Sequence, residues 1–141
     1  MLIPFTLNCM IVGIAVMIHY EVLFQMTSVM PKLKIKHRLR IVFGVFGALI
    51  AHVIEIWVFA IAYYLMHSSP SWGYLEGNYK GSLLDAAYFS FTTFTTLGFG
   101  DIAPHGILRF LVGIEAVTGL VLITWTASFL YFEMQRYWHD R

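Results

Sequence analysis

Charged residues are scarce in this chain. Asp, Glu, Lys and Arg together make up 12% of it, about half the share usual in a soluble domain. A protein so poor in charge does not clothe its surface in polar side chains, and no nucleic-acid partner is expected. Cysteine is nearly absent. Cys9 stands alone, which excludes an intrachain disulfide. Ser/Gly linkers, charge blocks and internal repeats are missing, so the chain reads as one domain. No basic cluster precedes the first apolar run, which is also too long for the apolar part of a signal peptide. It is read as a retained helix. There is no H-E-x-x-H motif and no nucleophile–base pair, so no catalytic residue, enzymatic activity or cofactor is expected.

What fills the chain instead is hydrophobic. Such residues make up 59% of the sequence, and its mean hydropathy is +0.72. Three runs, at 2–27, 41–66 and 107–134, are long enough to cross a bilayer as helices, which takes roughly 20 residues. A fourth run, 83–94, is too short to span and fits a re-entrant segment. The expectation is an all-α membrane protein with three transmembrane helices.

The few basic residues have a pattern. Lys32, Lys34, Lys36, Arg38 and Arg40 lie in the link 31–40, and Arg136 and Arg141 follow the third run. Lys80 and Arg109 are the other two. The positive-inside rule puts the link and the C-terminus in the cytoplasm, with the N-terminus and the whole of 67–106 outside. A voltage sensor would carry its arginines within a spanning helix. Here they follow Pro31 between two helices, as a topology signal that also meets anionic lipid.

The stretch "TTFTTLGFGDIAP", residues 92–104, is polar and glycine-bearing between two membrane-length runs. Before it, 67–81 has turn residues throughout and reads as a loop. Ser82 and Asp85 form an S-x-x-D capping pattern, which starts a helix over 82–94. Its 13 or so residues make about 20 Å, too short to cross. Non-helical backbone at membrane depth is tolerated when buried in protein or lining water. In 95–101, Gly98 and Gly100 alternate with Leu97 and Phe99. A strand that alternates ordinary and left-handed residues points successive carbonyls to one side. Four such strands around an axis make rings of oxygens that replace the water shell of a cation. The C-terminal end of the short helix adds partial negative charge there.

These residues resemble the potassium-channel selectivity filter. Thr96, Leu97, Gly98, Phe99, Gly100 and Asp101 match it in order. "YFSFTT" is similar to the family's pore helix, "DIAP" to its outer-mouth turn, and "LRFLVGIEAVTGLVLITWTASFLYF" to its inner helix. The resemblance covers 41–136: outer helix 41–66, loop 67–81, pore helix 82–94, filter 95–101 and inner helix 107–134. The N-terminal helix within 1–30 lies outside it, and 137–141 form a short tail. No cytoplasmic ligand-binding domain is expected in the chain.

The resemblance implies a homotetramer in the plasma membrane (the inner membrane of a bacterium) that conducts K+ passively. It implies K+ coordination by the Thr96 hydroxyl and by the carbonyls of Thr96, Leu97, Gly98, Phe99 and Gly100. Filter support falls to Tyr88, Phe89, Thr92, Thr95 and Asp101. Two departures matter. Phe99 lacks the hydroxyl that ties the tyrosine form of the filter to the pore helix. Thr92 stands where some bacterial members carry a glutamate, so Asp101 needs another partner. Ala103 offers no aromatic ring at the outer mouth, and weak external block by tetraethylammonium is expected. On the inner helix, Gly119 matches the hinge glycine. Gly119, Leu120, Ile123, Ala127 and Tyr131 recur at helical spacing as cavity and gate candidates. Rival readings are a weakly selective cation channel of the same fold and a non-conducting channel-like subunit.

His19, Glu21, His52, Glu55 and Glu115 lie inside the spanning runs, where ionisable groups are costly and functional by default. His52 and Glu55 share a helix face, being three apart. His19 and Glu21 do not. Glu115 lies at a depth where it meets the pore helix. A pH sensor, a metal site built from His19, His52 and a carboxylate, and helix-locking contacts are the readings open to these residues. His105, after the filter turn, is a separate candidate for external proton sensing.

Overall fold

The computed structural model describes residues 2–138. Arg141, and with it 139–141 of the expected tail, lie outside the described residues. The elements run α1 (Leu2–Val29), a 3-10 turn (Met30–Lys32), α2 (His37–His67), β1 (Gly73–Gly77), α3 (Leu83–Phe94), β2 (Ile102–Gly106) and α4 (Leu108–Trp138). Among these described residues, α1, α2 and α4 are long and apolar enough to cross a membrane. α3 has 12 residues, about 18 Å at 1.5 Å per residue, and does not reach across.

Two boundaries differ from the sequence expectation. α2 begins at His37 rather than at 41, so Arg38 and Arg40 sit in its first turn and not in the link. α4 continues past 134 to Trp138. The reason is the same at both ends. Hydropathy stops at the first charge, but Arg, Lys, Glu and Gln are good helix formers and carry the helix on into the polar zone. Arg40 then folds back, and its Nη2 donates to the Leu33 carbonyl at 2.7 Å.

The stretch expected as loop, 67–81, contains strand β1. It pairs antiparallel with β2, in register from Gly73 opposite Gly106 to Gly77 opposite Ile102. The "DIAP" turn is thus largely strand. Glycine and proline depress strand propensity, which hides the ribbon from the sequence. Gly73 and Gly77 are required by the pairing itself. Both have positive φ, +112° and +105°, and a Cβ at either would strike the carbonyl of His105 or Asp101.

The core lies where α1, α2, α3 and α4 meet. Phe59, Tyr63, Phe94, Leu111 and Leu122 are buried there. α1 packs on both α2 and α4 of its own chain. Its lower half docks against a glycine of α2: a Cβ on Gly47 would press on Met26, while Gly44 makes the same room for Met30 of the 3-10 turn and Leu130 of α4. Small residues that let helices approach closely are the usual contact in a bilayer.

Candidate functional site

α3 starts as its sequence predicts. The Ser82 hydroxyl accepts from the Asp85 N–H at 3.1 Å, and the Asp85 carboxylate accepts from the Ser82 and Lys80 N–H groups. At the other end, the chain leaving α3 stays tied to it. The Thr95 N–H and hydroxyl both donate to the Phe91 carbonyl, at 3.2 and 2.7 Å. Thr96 N–H donates to Thr93 O at 2.9 Å, and Gly98 N–H to Thr92 O at 3.0 Å. These bonds satisfy carbonyls that a helix end would otherwise leave open.

Beyond that point the backbone alternates. Thr96, Gly98 and Gly100 have positive φ, at 58°, 51° and 80°, and the residues between them do not. A Cβ on Gly98 or Gly100 would meet open space. Backbone conformation, not crowding, is therefore what calls for glycine there. Thr96 carried no such signal in the sequence beyond its even spacing with the two glycines. A left-handed conformation at a β-branched residue costs about 1–3 kcal/mol and persists where its surroundings hold it. Residues 95–100 are exposed in the single chain, with Leu97 at 60% and Phe99 at 65%. The backbone that carries the candidate ion ligands is thus free on one side and anchored on the other.

At the outer end of the segment, two of the expected support residues meet, a pairing that the sequence did not specify. The Tyr88 hydroxyl donates to Asp101 Oδ2 at 3.0 Å, and the Tyr88 ring lies parallel to that of Phe99 at 6.5 Å. Desolvation and then the Asp101 carboxylate raise the Tyr88 hydroxyl above its ordinary pKa. The Asp101 carbonyl accepts from the Asn78 N–H at 2.8 Å, which ties the segment to the outer ribbon. Thr92 is buried and turns its hydroxyl to the Phe89 carbonyl. Phe89 packs edge-on against Tyr63 at 5.1 Å.

Two buried carboxylates stand behind this segment. Glu115, on α4, accepts hydrogen bonds from Ser90 on α3 and from Tyr63 on α2. The Ser90 oxygen also lies 2.9 Å from the Ile56 carbonyl. Three helices meet at this one side chain. Ser90 and Tyr63 escaped the sequence reading. The available signal was their place on faces that are otherwise apolar.

Glu55, on α2, is the second. Its Oε1 lies 2.9 Å from His19 Nδ1 and its Oε2 2.9 Å from His52 Nδ1. The Thr126 hydroxyl on α4 faces the other edge of both rings, 3.0 Å from His52 Nε2 and 3.4 Å from His19 Nε2. The rings stack at 5.3 Å. Trp125 covers His19, and Phe94 lies 5.7 Å from His52. Thr126 had not been singled out. Glu21 is elsewhere: it is exposed and accepts from Gln25 at 2.8 Å.

On α4, Leu120, Ile123, Ala127 and Tyr131 are exposed along one side. Gly119 does not join them. It is buried, and a Cβ there would fall on the Phe94 carbonyl. The glycine lets α4 pass the end of α3, which removes it from the cavity-lining set. Gln135 donates to the Tyr131 hydroxyl at 2.6 Å. His105, half-exposed on β2, lies 2.7 Å from Glu76 across the ribbon and stacks on Tyr74.

Two long apolar helices flanking a short capped helix and an exposed, alternately left-handed segment fit an ion channel. The family comparison agrees. The family model described as "Ion channel" matches residues 42–135, and the chain belongs to that family, the two-helix potassium-channel pore module. It is an integral membrane protein, and α1 lies outside the match. No curated protein and no solved structure matches the chain.

Proposed function

We propose that four copies of this chain surround a fourfold axis and conduct K+ passively through the segment 95–101. The observation that carries this reading is the alternation of left-handed φ at Thr96, Gly98 and Gly100 on backbone that is exposed in the single chain. Alternation turns successive carbonyls the same way. Four strands would supply rings of oxygens from Thr96, Leu97, Gly98, Phe99 and Gly100, with the Thr96 hydroxyl below them. Such rings replace the hydration shell of a dehydrated cation. α3 would be the re-entrant pore helix, with its negative C-terminal end toward the ion path. Leu120, Ile123 and Ala127 would line the cavity and Tyr131 would narrow its cytoplasmic end. The basic residues from Lys32 to Arg40 favour a cytoplasmic link and C-terminus, with the N-terminus and the outer ribbon outside.

The test is ion flux in liposomes reconstituted with the purified chain. The expected outcome is K+ flux blocked by barium, with a reversal potential near that of K+ in mixed Na+ and K+. Gly98→Ala, which forces a side chain onto a left-handed residue, should abolish that flux while the protein still assembles. A reversal potential indifferent to the Na+/K+ ratio would instead support a weakly selective pore. A folded tetramer with no flux would support a non-conducting subunit.

A further inference from the structure

The polar cluster between α1, α2 and α4 has a chemistry that ion conduction does not use. Its hydrogen bonds do not balance. Four close contacts form a ring: each imidazole Nδ1 to one Glu55 oxygen, and each Nε2 to the Thr126 hydroxyl. Two neutral imidazoles and one hydroxyl supply three protons for these four contacts. The longest contact, His19 Nε2 to Thr126 at 3.4 Å, is the one left over. The ring also encloses a carboxylate that is fully buried, with His19 fully buried beside it. A buried carboxylate is costly unless donors or a positive centre compensate it, and the groups beside it here are two imidazoles that can carry such a centre. The ring is therefore one positive centre short of complete.

We propose that this centre is a divalent transition-metal ion, of which Zn2+ is the type, held by His19 Nδ1, His52 Nδ1 and the Glu55 carboxylate. One ligand atom from each of these residues lies within 4.8 Å of the others. The stacked rings present their Nδ1 edges to the same carboxylate, like the jaws of a clamp. With the Nδ1 lone pairs on the metal, both rings carry their proton on Nε2. Both Nε2–H groups then donate to the two lone pairs of Thr126, and the ring is complete. A metal-bound histidine generally donates its other N–H to such an acceptor, which fixes the ring. Two imidazoles and one carboxylate are a recognised Zn2+ ligand set that leaves one position open. His52 and Thr126 edge an apolar groove of about 450 Å³ between α2, α3 and α4, which brings the outside of the chain close to one side of the cluster. The ion would clamp α1, which lies outside the channel-family match, onto the pore module. Its position beside Phe94, at the end of α3, would couple that clamp to the conducting segment.

The experiment is metal binding by the purified full-length chain in detergent, after chelator treatment and near neutral pH. This readout does not depend on flux, so it stands whether or not the pore reading does. The expected result is a single Zn2+ retained per chain, and a Co2+ form with the intense visible absorption of four-coordinate cobalt. His19→Ala should weaken binding by about a hundredfold, and Thr126→Val, which leaves the ligands in place, by about tenfold. A His67→Ala/His105→Ala variant should bind as the parent does. Two results would overturn the proposal. One is a folded chain that retains no Zn2+, which would mean that a proton completes the ring. The other is retention unchanged by Thr126→Val and His19→Ala but lost in the His67/His105 variant, which would mark surface binding.

Discussion

Glu55 and Glu115 are both buried carboxylates at junctions of three helices that share α2 and α4, yet they are held by opposite chemistry. Glu115 meets hydroxyls, from Ser90 and Tyr63. Glu55 meets imidazoles, from His19 and His52. A hydroxyl offers one proton and no charge. An imidazole can take up a proton or bind a metal, and so can bring a positive charge with it. The Glu115 cluster therefore only fastens α4 to α2 and α3. The Glu55 cluster joins α1 to α2 and α4, through groups able to take up a proton or a metal ion. The difference follows position. Glu115 sits inside the pore module, where rigidity behind the 95–101 segment is needed. Glu55 sits where the module meets α1.

The sharpest way to break this comparison is to remove one partner from each cluster. In chelator-treated protein, His19→Ala leaves the Glu55 carboxylate half-compensated. Leaving a buried carboxylate without one of its two close partners costs about 3 kcal/mol or more. Adding Glu55→Gln should recover part of the loss, with a coupling energy of about 1–3 kcal/mol in the double-mutant cycle. Additive losses in the unfolding of the two variants would mean that the pair carries no special interaction. Glu115→Gln should cost less. The amide keeps one acceptor for the Ser90 or Tyr63 hydroxyl, and losing the other bond costs about 1–3 kcal/mol. Equal effects for His19→Ala and Glu115→Gln would erase the distinction between the clusters.

How much of this was readable in advance follows the range of the signal. Three long helices, the α3 cap at Ser82 and Asp85, and the Gly98/Gly100 alternation are local patterns, and the sequence carries them whole. The pairing of His52 with Glu55 is local too, one helical turn apart. His19 meeting Glu55 across 36 positions is not. It depends on α1 settling against Gly47 of α2. Tyr88 meeting Asp101, and the β1–β2 ribbon, depend likewise on where the chain returns after leaving α3. Gly119 misled in the other direction. Its periodicity with Leu120, Ile123 and Ala127 is real, but its missing side chain serves a close approach to Phe94. Periodicity tells which residues share a face and not what that face touches.

A smaller effect tests whether the outer end of the segment is held by a single bond. Tyr88→Phe keeps the ring beside Phe99 but removes the donor to Asp101. The expected outcome is faster loss of current during sustained opening, with unchanged assembly. Thr92→Glu would bring a carboxylate behind the segment near Asp101 and should shift the same kinetics. Combined with Tyr88→Phe, it should shift them less than additively, since both act on one aspartate. Identical kinetics in parent, Tyr88→Phe and Thr92→Glu would show that Asp101 does not set the stability of this end.

The smallest expected effect comes from a third carboxylate, Asp85, which is partly exposed where the other two are buried. Hydrogen bonds from Ser82 and from the Lys80 N–H hold its carboxyl below the ordinary aspartate range. A group whose pKa is lower folded than unfolded stabilises the fold above its unfolded value. That contribution fades as pH falls through the folded value. The cap should therefore be at full strength above about pH 5 and weaken below about pH 4. Hydrogen exchange in the first turn of α3 reads this directly. Asp85→Asn should speed exchange at neutral pH, and the gap between variant and parent should close in acid. The α4 amides around Glu115 should not follow the same pH course, because that carboxyl is fully buried and bonded to hydroxyls rather than to an exposed helix end. A gap that stays constant into acid would mean that Asp85 holds the cap by shape alone, without its charge.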